Sequence, residues 1–463
     1  MLKPLRSLFA TIIVGLVTIL TFAPPAMAQA AADAQEVPPP RDPRIYGLIE
    51  SASAERIERD IRILAGFGTR NTYSDTLSDS RGIGAARRWI RAEFDRISTA
   101  CGGCLDVYYQ EAIFQGRPQG STDPQPVNVV NVVAVLRGTT HPDHYVIMAG
   151  DIDSRASNTA DFTSDAPGAN DNASGMAGVL EAARMMTQHR YGKSVVFVGL
   201  SGEEQGLWGG QHMAQQAIED GWVIEAVLNN DMIGNIEGID GVINNTVFRV
   251  FSEPTPVTET EQERRARRTR GGEVDGVSRQ LARYVDRITS EYFTNLDAMM
   301  IYRLDRFGRG GHHRPFNDAG FPGIRIMEAH ENYTRQHQNI RVEDGIEYGD
   351  VVEGVNFDYA ARLTAVNVAT LAALAWAPPP PDTVRLTGAV RPSATLNWTA
   401  VDSPALAGYK VYWRLTTEPQ WTNWVYVGNI TEYTLQNLII DNYVFGVAAV
   451  ARNGNESPVV FGR

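Results

Sequence analysis

The chain has 463 residues, too many for one ordinary domain and enough for two or three. At 43% hydrophobic and 21% charged it can bury a substantial core, which excludes wholesale disorder. Its formal net charge of −12 repels phosphate backbones and argues against nucleic acid as a main partner.

Lys3 and Arg6, an apolar run from Leu8 to Phe22, and then Ala26-Met27-Ala28 have the pattern of a Sec-type signal peptide over residues 1–28. Cleavage there implies export, to the periplasm or the medium. No later stretch is long and apolar enough to span a bilayer, so no membrane partner is expected after signal removal. Residues 29–45, rich in Ala, Pro and charge, read as a flexible leader. Residues 52–64 and 83–97 read as helices; in the second, Ala86, Trp89, Ile90, Phe94 and Ile97 recur at helical spacing. The only cysteines, Cys101 and Cys104, flank two glycines. In an oxidising compartment they close a local disulfide, a redox-active pair being the other reading; two thiols alone do not complete a structural zinc site.

Strands and helices then alternate. Strands are predicted over 128–136 (NVVNVVAVL), 145–149 (YVIMA), 194–200 (SVVFVGL), 224–229 and 323–327, and helices over 177–186, 277–288 and 357–376. Continuous apolar strands between helices predict an α/β unit with a mostly parallel or mixed sheet, covered by helices on both faces. The basic run Arg264, Arg265, Arg267, Arg268 and Arg270 follows three glutamates and contains no aromatics. It reads as a solvated loop or helix end, with a binding patch as the rival. Residues 377–383 hold four consecutive prolines and read as a stiff linker. Beyond it the period becomes two: Leu396 and Trp398, then Tyr409, Val411 and Trp413, then Tyr443, Phe445, Val447 and Ala449. Residues 384–463 therefore read as a small antiparallel sandwich.

Acidic residues collect where strands end. Asp151 and Asp153 follow YVIMAG, Glu203 and Glu204 follow SVVFVGLSG, Asp231 follows AVLNN, and Asp171 sits in a loop just before a helix. Ligands of open α/β sheets bind beyond the carboxyl ends of strands. Carboxylates gathered there repel one another unless cations intervene, and two divalent ions bridged by one carboxylate are a known solution. Each acid taken singly reads as a cap or turn former; the set at successive strand ends reads as a metal site.

The segments GANDNASG, LSGEEQGLWG and NNDMIG resemble the co-catalytic di-zinc exopeptidases of the bacterial leucyl aminopeptidase type, over roughly residues 46–376. The resemblance implies two zinc ions, with Asp171 bridging them and joined to Asn172 by a cis bond. It implies Glu203 as general base, Glu204 as a ligand of the second metal and Asp231 as a ligand of the first. The last ligand in that family is a late His. His141 and His144 lie at the wrong end of their strand, His189 ends a helix, and His212 falls within a helix after the GEEQG turn. Of His312, His313, His330 and His337, the last best fits the position, with His330 its rival. Tyr333 either hydrogen-bonds the tetrahedral intermediate or merely packs. The sandwich resembles a fibronectin type III domain, a spacer or a module binding an unknown surface or polymer.

Two departures stand out. The family's first metal is held by the His of an H-x-D pattern whose Asp orients the ring; here Asp151-Ile152-Asp153 puts Asp in that place. Asp151 as ligand makes the first site harder and more anionic, and opens it to manganese or magnesium. In RGGHHRPF, His312 stands where the family usually has Asp. Either the two positions lie close and have exchanged roles, so that His312 supplies a nitrogen ligand or pairs with Asp151, or the changes are independent.

The leading expectation is an exported aminopeptidase-type exopeptidase acting on peptides through a metal-bridging water and Glu203. A carboxypeptidase-like or other amide hydrolase of the same fold shares its metal core. Arg303, Arg306, Arg309 and Arg314 would bear on that choice, because an arginine binds a substrate carboxylate and an acid binds a free α-amine. From another class comes a non-catalytic binding protein with a degenerate site at Asp151, and at the margin a mono-zinc acyl transferase of the glutaminyl cyclase sort.

Overall fold

The computed structural model describes residues 36–463; residues 1–28, read as a signal peptide, and residues 29–35 of the leader lie outside the described residues. The α/β part begins with three helices, α1 (Arg44–Glu50), α2 (Ala54–Gly66) and α3 (Gly82–Ala100). Ser53 starts α2 by accepting the Arg56 N–H. Strands β1 (Leu105–Gly116), β2 (Gln125–Leu136) and β3 (His141–Asp151) follow, then α4 (Ala173–Met186), β4 (Lys193–Leu200), α5 (Trp208–Glu219) and β5 (Val223–Asn230). The chain continues through β6 (Val247–Ser252), α6 (Glu261–Arg270), α7 (Val277–Tyr292), β7 (Asp297–Ile301), α8 (His313–Asp318) and β8 (Gly323–Glu328). A short hairpin, β9 (Arg341–Glu343) and β10 (Ile346–Tyr348), precedes the long helix α9 (Phe357–Trp376), which Asn356 caps.

The eight strands form one mixed sheet in the order β1-β2-β4-β3-β5-β8-β6-β7. The β4-β3-β5-β8 centre is parallel throughout, so these four strands end on the same edge. Their apolar runs are buried on both faces. On β2, β3, β4 and β5, residues such as Val132, Val146, Val195 and Ala226 face α2, α3, α4, α7 and α9. Their neighbours Val133, Ile147, Val196 and Val227 face Met213, Ala214 and Ala217 of α5 and Phe316 of α8. Side-chain alternation along a strand thus feeds two cores at once.

Several features lay beyond the predicted elements. The edge strands β1 and β7, and β6 between β8 and β7, were not among them; β1 alternates exposed and half-buried residues and carries no apolar run. His141 and His144 open β3 rather than precede it. The basic run forms α6, with a Thr260–Glu263 capping box and no buried residue, and Arg264 and Arg265 pair with Glu261, a solvated helix. Cys101 and Cys104 are joined as a disulfide.

The C-terminal strands are β11 (Val384–Thr387), β12 (Ser393–Trp398), β13 (Leu406–Leu415), β14 (Asn423–Tyr426), β15 (Glu432–Gln436), β16 (Tyr443–Ala451) and β17 (Val460–Phe461). They form two antiparallel sheets, β11-β12-β15 and β14-β13-β16-β17. Trp398, Tyr409, Val411, Phe445 and Val447 lie in the core between them, and Trp413 and Tyr443 pack half-buried against it.

Val37–Arg463 forms one compact unit, and the sandwich is fixed to it rather than held at a distance. Pro378 is buried and its carbonyl accepts from Lys193 Nζ at 3.2 Å. Asp275, just before α7, binds both Arg283 at 2.8 Å and Arg414 of β13 at 2.6 Å, and all three side chains are almost fully buried. Trp421 Nε1 donates to Gln280 Oε1, and Tyr284 Oη donates to the Glu456 carbonyl. The flexible reading of the leader does not hold for residues 37–45. Asp42 is buried against Asn455, and Ile45 is fully buried in α1, because the sandwich and α9 offer this segment an apolar seat.

Candidate metal centre

The parallel centre of the sheet explains why distant acids meet. Asp151 ends β3, the Glu203–Glu204 turn follows β4, and Asp231 follows β5. Asp171 enters from the loop before α4, whose N-terminus sits on the end of β5: a Cβ built at Gly175 would lie 2.2 Å from the Asn230 carbonyl. Only glycine permits that approach. Asn172 caps α4 by accepting the Gly175 N–H, and the bond joining it to Asp171 is cis.

Three of the predicted ligands converge. His337 Nε2 lies 2.9 Å from Asp171 Oδ2 and 3.2 Å from Glu204 Oε1. Among the described residues this trio is the one set of three or more acidic, His or Cys side chains whose ligand atoms all fall within 4.8 Å of one another. Two carboxylates and an imidazole are a donor set that zinc accepts, so a divalent ion fits here. His337 adopts φ 54, in the left-handed region uncommon for a non-glycine residue, which turns its ring to the carboxylates. His330, its rival, is not in the trio.

The trio is braced from beneath. Asp350 accepts the Asn170 and Asp171 N–H groups at 2.8 and 2.6 Å. The fully buried Arg70 donates to the carbonyls of Ile152, Pro167 and Gly168, tying the metal loop to the end of β3. Asp153 accepts the Glu203 and Glu204 N–H groups at 3.2 and 3.1 Å. In this chain the second Asp of the D-x-D pattern orients a turn and not a histidine ring. Glu203 lines the same cleft, of about 570 Å³, and burial, with Glu204 and the other acids around it, pushes its carboxyl well up. A raised carboxyl pKa suits a group that must take and release a proton.

The other predicted residues are placed differently. Both oxygens of Asp151 are occupied: Oδ1 lies 2.5 Å from His312 Nδ1, and Oδ2 accepts from Asn172 Nδ2 at 2.6 Å. Positions 151 and 312 are therefore in contact, with Asp151 a partner of His312 and not gathered with the ligand trio. Asp231 lines the cleft, but its Oδ1 lies 2.9 Å from Arg325 Nη2. Tyr333 is 54% exposed and is not among the residues lining the cleft. His313 points its Nε2 to the Leu304 carbonyl. Of the four flagged arginines, Arg306, Arg309 and Arg314 line the cleft, with Arg155. Glu331 binds Arg306 and Arg309 at 3.1 and 3.0 Å.

Arg325, Arg70, Asp350 and the brace by Asp153 were not anticipated. Arg325 leaves a trace in the sequence: GIRIME carries one charge in the middle of an apolar strand, and a charge buried there needs a partner. Asp350 leaves none, because its partners are backbone groups 180 residues away.

Residues 131–349, which contain Asp171, Glu203, Glu204, Asp231 and His337, match the model of peptidase family M28. A probable zinc metalloprotease of Leptosphaeria maculans is 40% identical over 426 residues, covering 92% of this chain and 98% of that protein. One of Pyrenophora tritici-repentis is 38% identical over 424 residues, covering 90% and 97%. The fold resembles the crystal structure of Legionella pneumophila LapA, with a TM-score of 0.52 at 18% identity over 72% of this chain and 76% of that one. It is a metallopeptidase: the chain belongs to peptidase family M28.

Proposed function

We propose that this metallopeptidase is an exported, zinc-dependent exopeptidase of the aminopeptidase type, acting on peptides in the periplasm or the medium. The observation that carries the reading is the Asp171–Glu204–His337 trio beside Glu203 at the wall of one cleft. Zinc bound there supplies a Lewis acid that polarises a scissile carbonyl and acidifies water. Glu203 takes the proton from the attacking water and delivers it to the leaving amine nitrogen. Asp153, by fixing both amides of the Glu203–Glu204 turn, keeps the base and the ligand in register. Asp231 lines the cleft with only its Oδ1 paired, and is the acid offered to a free α-amine.

The reading is tested with aminoacyl and short peptide substrates carrying free or acetylated N-termini. Zinc-restorable, chelator-sensitive cleavage that requires the free amine supports it; no cleavage of any peptide by the zinc-loaded protein overturns it. One observation favours a second reading. The cleft wall carries Arg155, Arg306, Arg309 and Arg314, and arginine binds carboxylates. Cleavage that tolerates the acetyl group but requires a free C-terminal carboxylate would make the enzyme carboxypeptidase-like.

A further inference from the structure

The four arginines that line the cleft are not equivalent. Arg155 is spent: it donates to the Ala156 and Ser157 carbonyls, and its Nη1 lies 3.7 Å from Glu204 of the trio. Arg306 is spent as well. Its Nη1 lies 3.1 Å from Glu331, its Nε 3.3 Å from Asp305, and its Nη2 donates to the Gly310 carbonyl at 3.2 Å.

Arg309 and Arg314 have donors to spare. Arg309 uses Nη1 alone, on Glu331 at 3.0 Å, and its side chain is 31% exposed. Glu331 does not neutralise it, because that one carboxylate also faces Arg306 and Arg249, at 3.1 and 3.2 Å. Arg314, on the first turn of α8, has no ion-pair partner among the described residues. Its one side-chain hydrogen bond there is long, from Nη1 to the Arg309 carbonyl at 3.4 Å, and its Nε is buried with no acceptor. A buried donor left unpaired is costly, and a carboxylate brought into the cleft would relieve it. The acid one turn further on, Asp318, lines the same cleft but is exposed and forms no ion pair among the described residues. Glycine at 310 keeps the guanidinium its place: a Cβ there would lie 2.9 Å from Arg314 Nη1 and 3.5 Å from Leu207.

This wall stands close to Asp231. Arg325 spans the distance between them, with Nη2 2.9 Å from Asp231 Oδ1 and Nη1 donating to the Gly310 carbonyl at 2.7 Å. An α-amine held at Asp231 is therefore one guanidinium away from the loop that carries Arg309 and leads into Arg314. A short acidic side chain on that same residue bridges the remainder.

We propose that Arg309 and Arg314 form the subsite for the side chain of the substrate's N-terminal residue, and that the enzyme prefers peptides beginning with Glu or Asp. The inference rests on the aminopeptidase reading above and names its substrate class. Arginine suits the task, because its planar fork matches a carboxylate with two parallel hydrogen bonds and keeps its charge at every working pH. An N-terminal Lys meets like charge, and an N-terminal Leu covers the spare donors without pairing them.

The test compares kcat/KM of the zinc-loaded full chain on Glu, Asp, Leu and Lys p-nitroanilides, and on Glu-Ala-amide against acetyl-Ala-Glu. Glu is expected to exceed Leu at least about 10-fold, with Lys slowest. Arg314→Met and Arg309→Met are each expected to lower the Glu-to-Leu ratio about 10-fold, and Arg314→Lys, which keeps the charge, to restore part of it. Cleavage of the Leu substrate by the same preparations reports that each variant is folded. Leu or Lys cleaved faster than Glu, or a ratio unmoved in both Met variants, would overturn the proposal and leave the metallopeptidase reading intact. Faster cleavage of acetyl-Ala-Glu than of Glu-Ala-amide would give the arginines to a C-terminal carboxylate and overturn it too. No cleavage of any of these substrates would overturn the aminopeptidase reading, and this proposal with it.

Discussion

His312 Nδ1 and Asp151 Oδ1 lie 2.5 Å apart in a site where both side chains are almost wholly buried. Burial pushes the Asp151 carboxyl up, to about 8, and the His312 imidazole down, to about 4. Both partners therefore favour their uncharged forms near neutrality, and a single proton serves the contact. His312→Ala leaves Asp151 with Asn172 as its one side-chain partner beside a void. A loss of about 2–4 kcal/mol in unfolding free energy is expected, read from urea denaturation. An unchanged midpoint would mean that the contact contributes nothing to stability.

Glu203→Gln keeps the shape of the side chain and removes the base. Turnover is expected to fall at least about 100-fold, while zinc content stays that of the unaltered chain. Steady-state rates and elemental analysis on the same preparation check both halves. A variant that keeps its rate would take Glu203 out of proton transfer.

Asp350→Ala removes the acceptor of the Asn170 and Asp171 amides without touching a ligand. Zinc affinity is expected to weaken about 10–100-fold, measured by competition with a chelator of known affinity. Unaltered affinity would show that Arg70 and the cap of α4 hold the loop unaided.

Much of this site was legible in the sequence, for a physical reason. Glu203, Glu204 and Asp231 follow apolar strand runs, and the end of a parallel strand is where a ligand group must stand, while Asp171 lies in the loop just before a helix. Helix α9 was read correctly because its long apolar run stops at the four prolines. The braces were not legible. Asp350 and Arg70 act on backbone atoms far along the chain, and a partner made of carbonyls and amides leaves no residue type to recognise. Strands β6 and β7 are short, and their pairing, β6 on β8 and β7 on β6, is a context that exists only after folding.

Glu331 gives the site a pH dependence of stability. Burial raises its carboxyl, but Arg306, Gln336, Arg249 and Arg309 outweigh that and hold it down at about 2. A folded pKa below the unfolded value of about 4.3 contributes stability that is complete above that value and is lost as pH falls towards about 2. Glu331→Gln is expected to cost on the order of 2–3 kcal/mol at neutral pH, with the gap closing below about pH 4. Denaturation midpoints of both chains across that range decide the matter; a gap that persists unchanged in acid would assign the loss to geometry and not charge.

Arg414→Ala strips one cation from buried Asp275 at the seat of the sandwich. Breaking a buried pair costs about 3–5 kcal/mol, so the melting temperature is expected to drop by several degrees. Peptidase rates measured well below the melt should remain those of the unaltered chain. A lower rate there would tie the sandwich to the cleft.

Asn455 donates to Asp42 across 413 residues of sequence, and Pro40 packs on Gly454 beside it. The two ends of the described chain thus meet in a seam. During synthesis Asp42 has Arg44 as its side-chain partner and gains Asn455 only once that residue has emerged. Closure of the loop comes late by necessity, and its entropic cost is met only when the final strands are in place. A ribosome-stalled chain that stops before Asn455 would carry its amino-terminal segment loose.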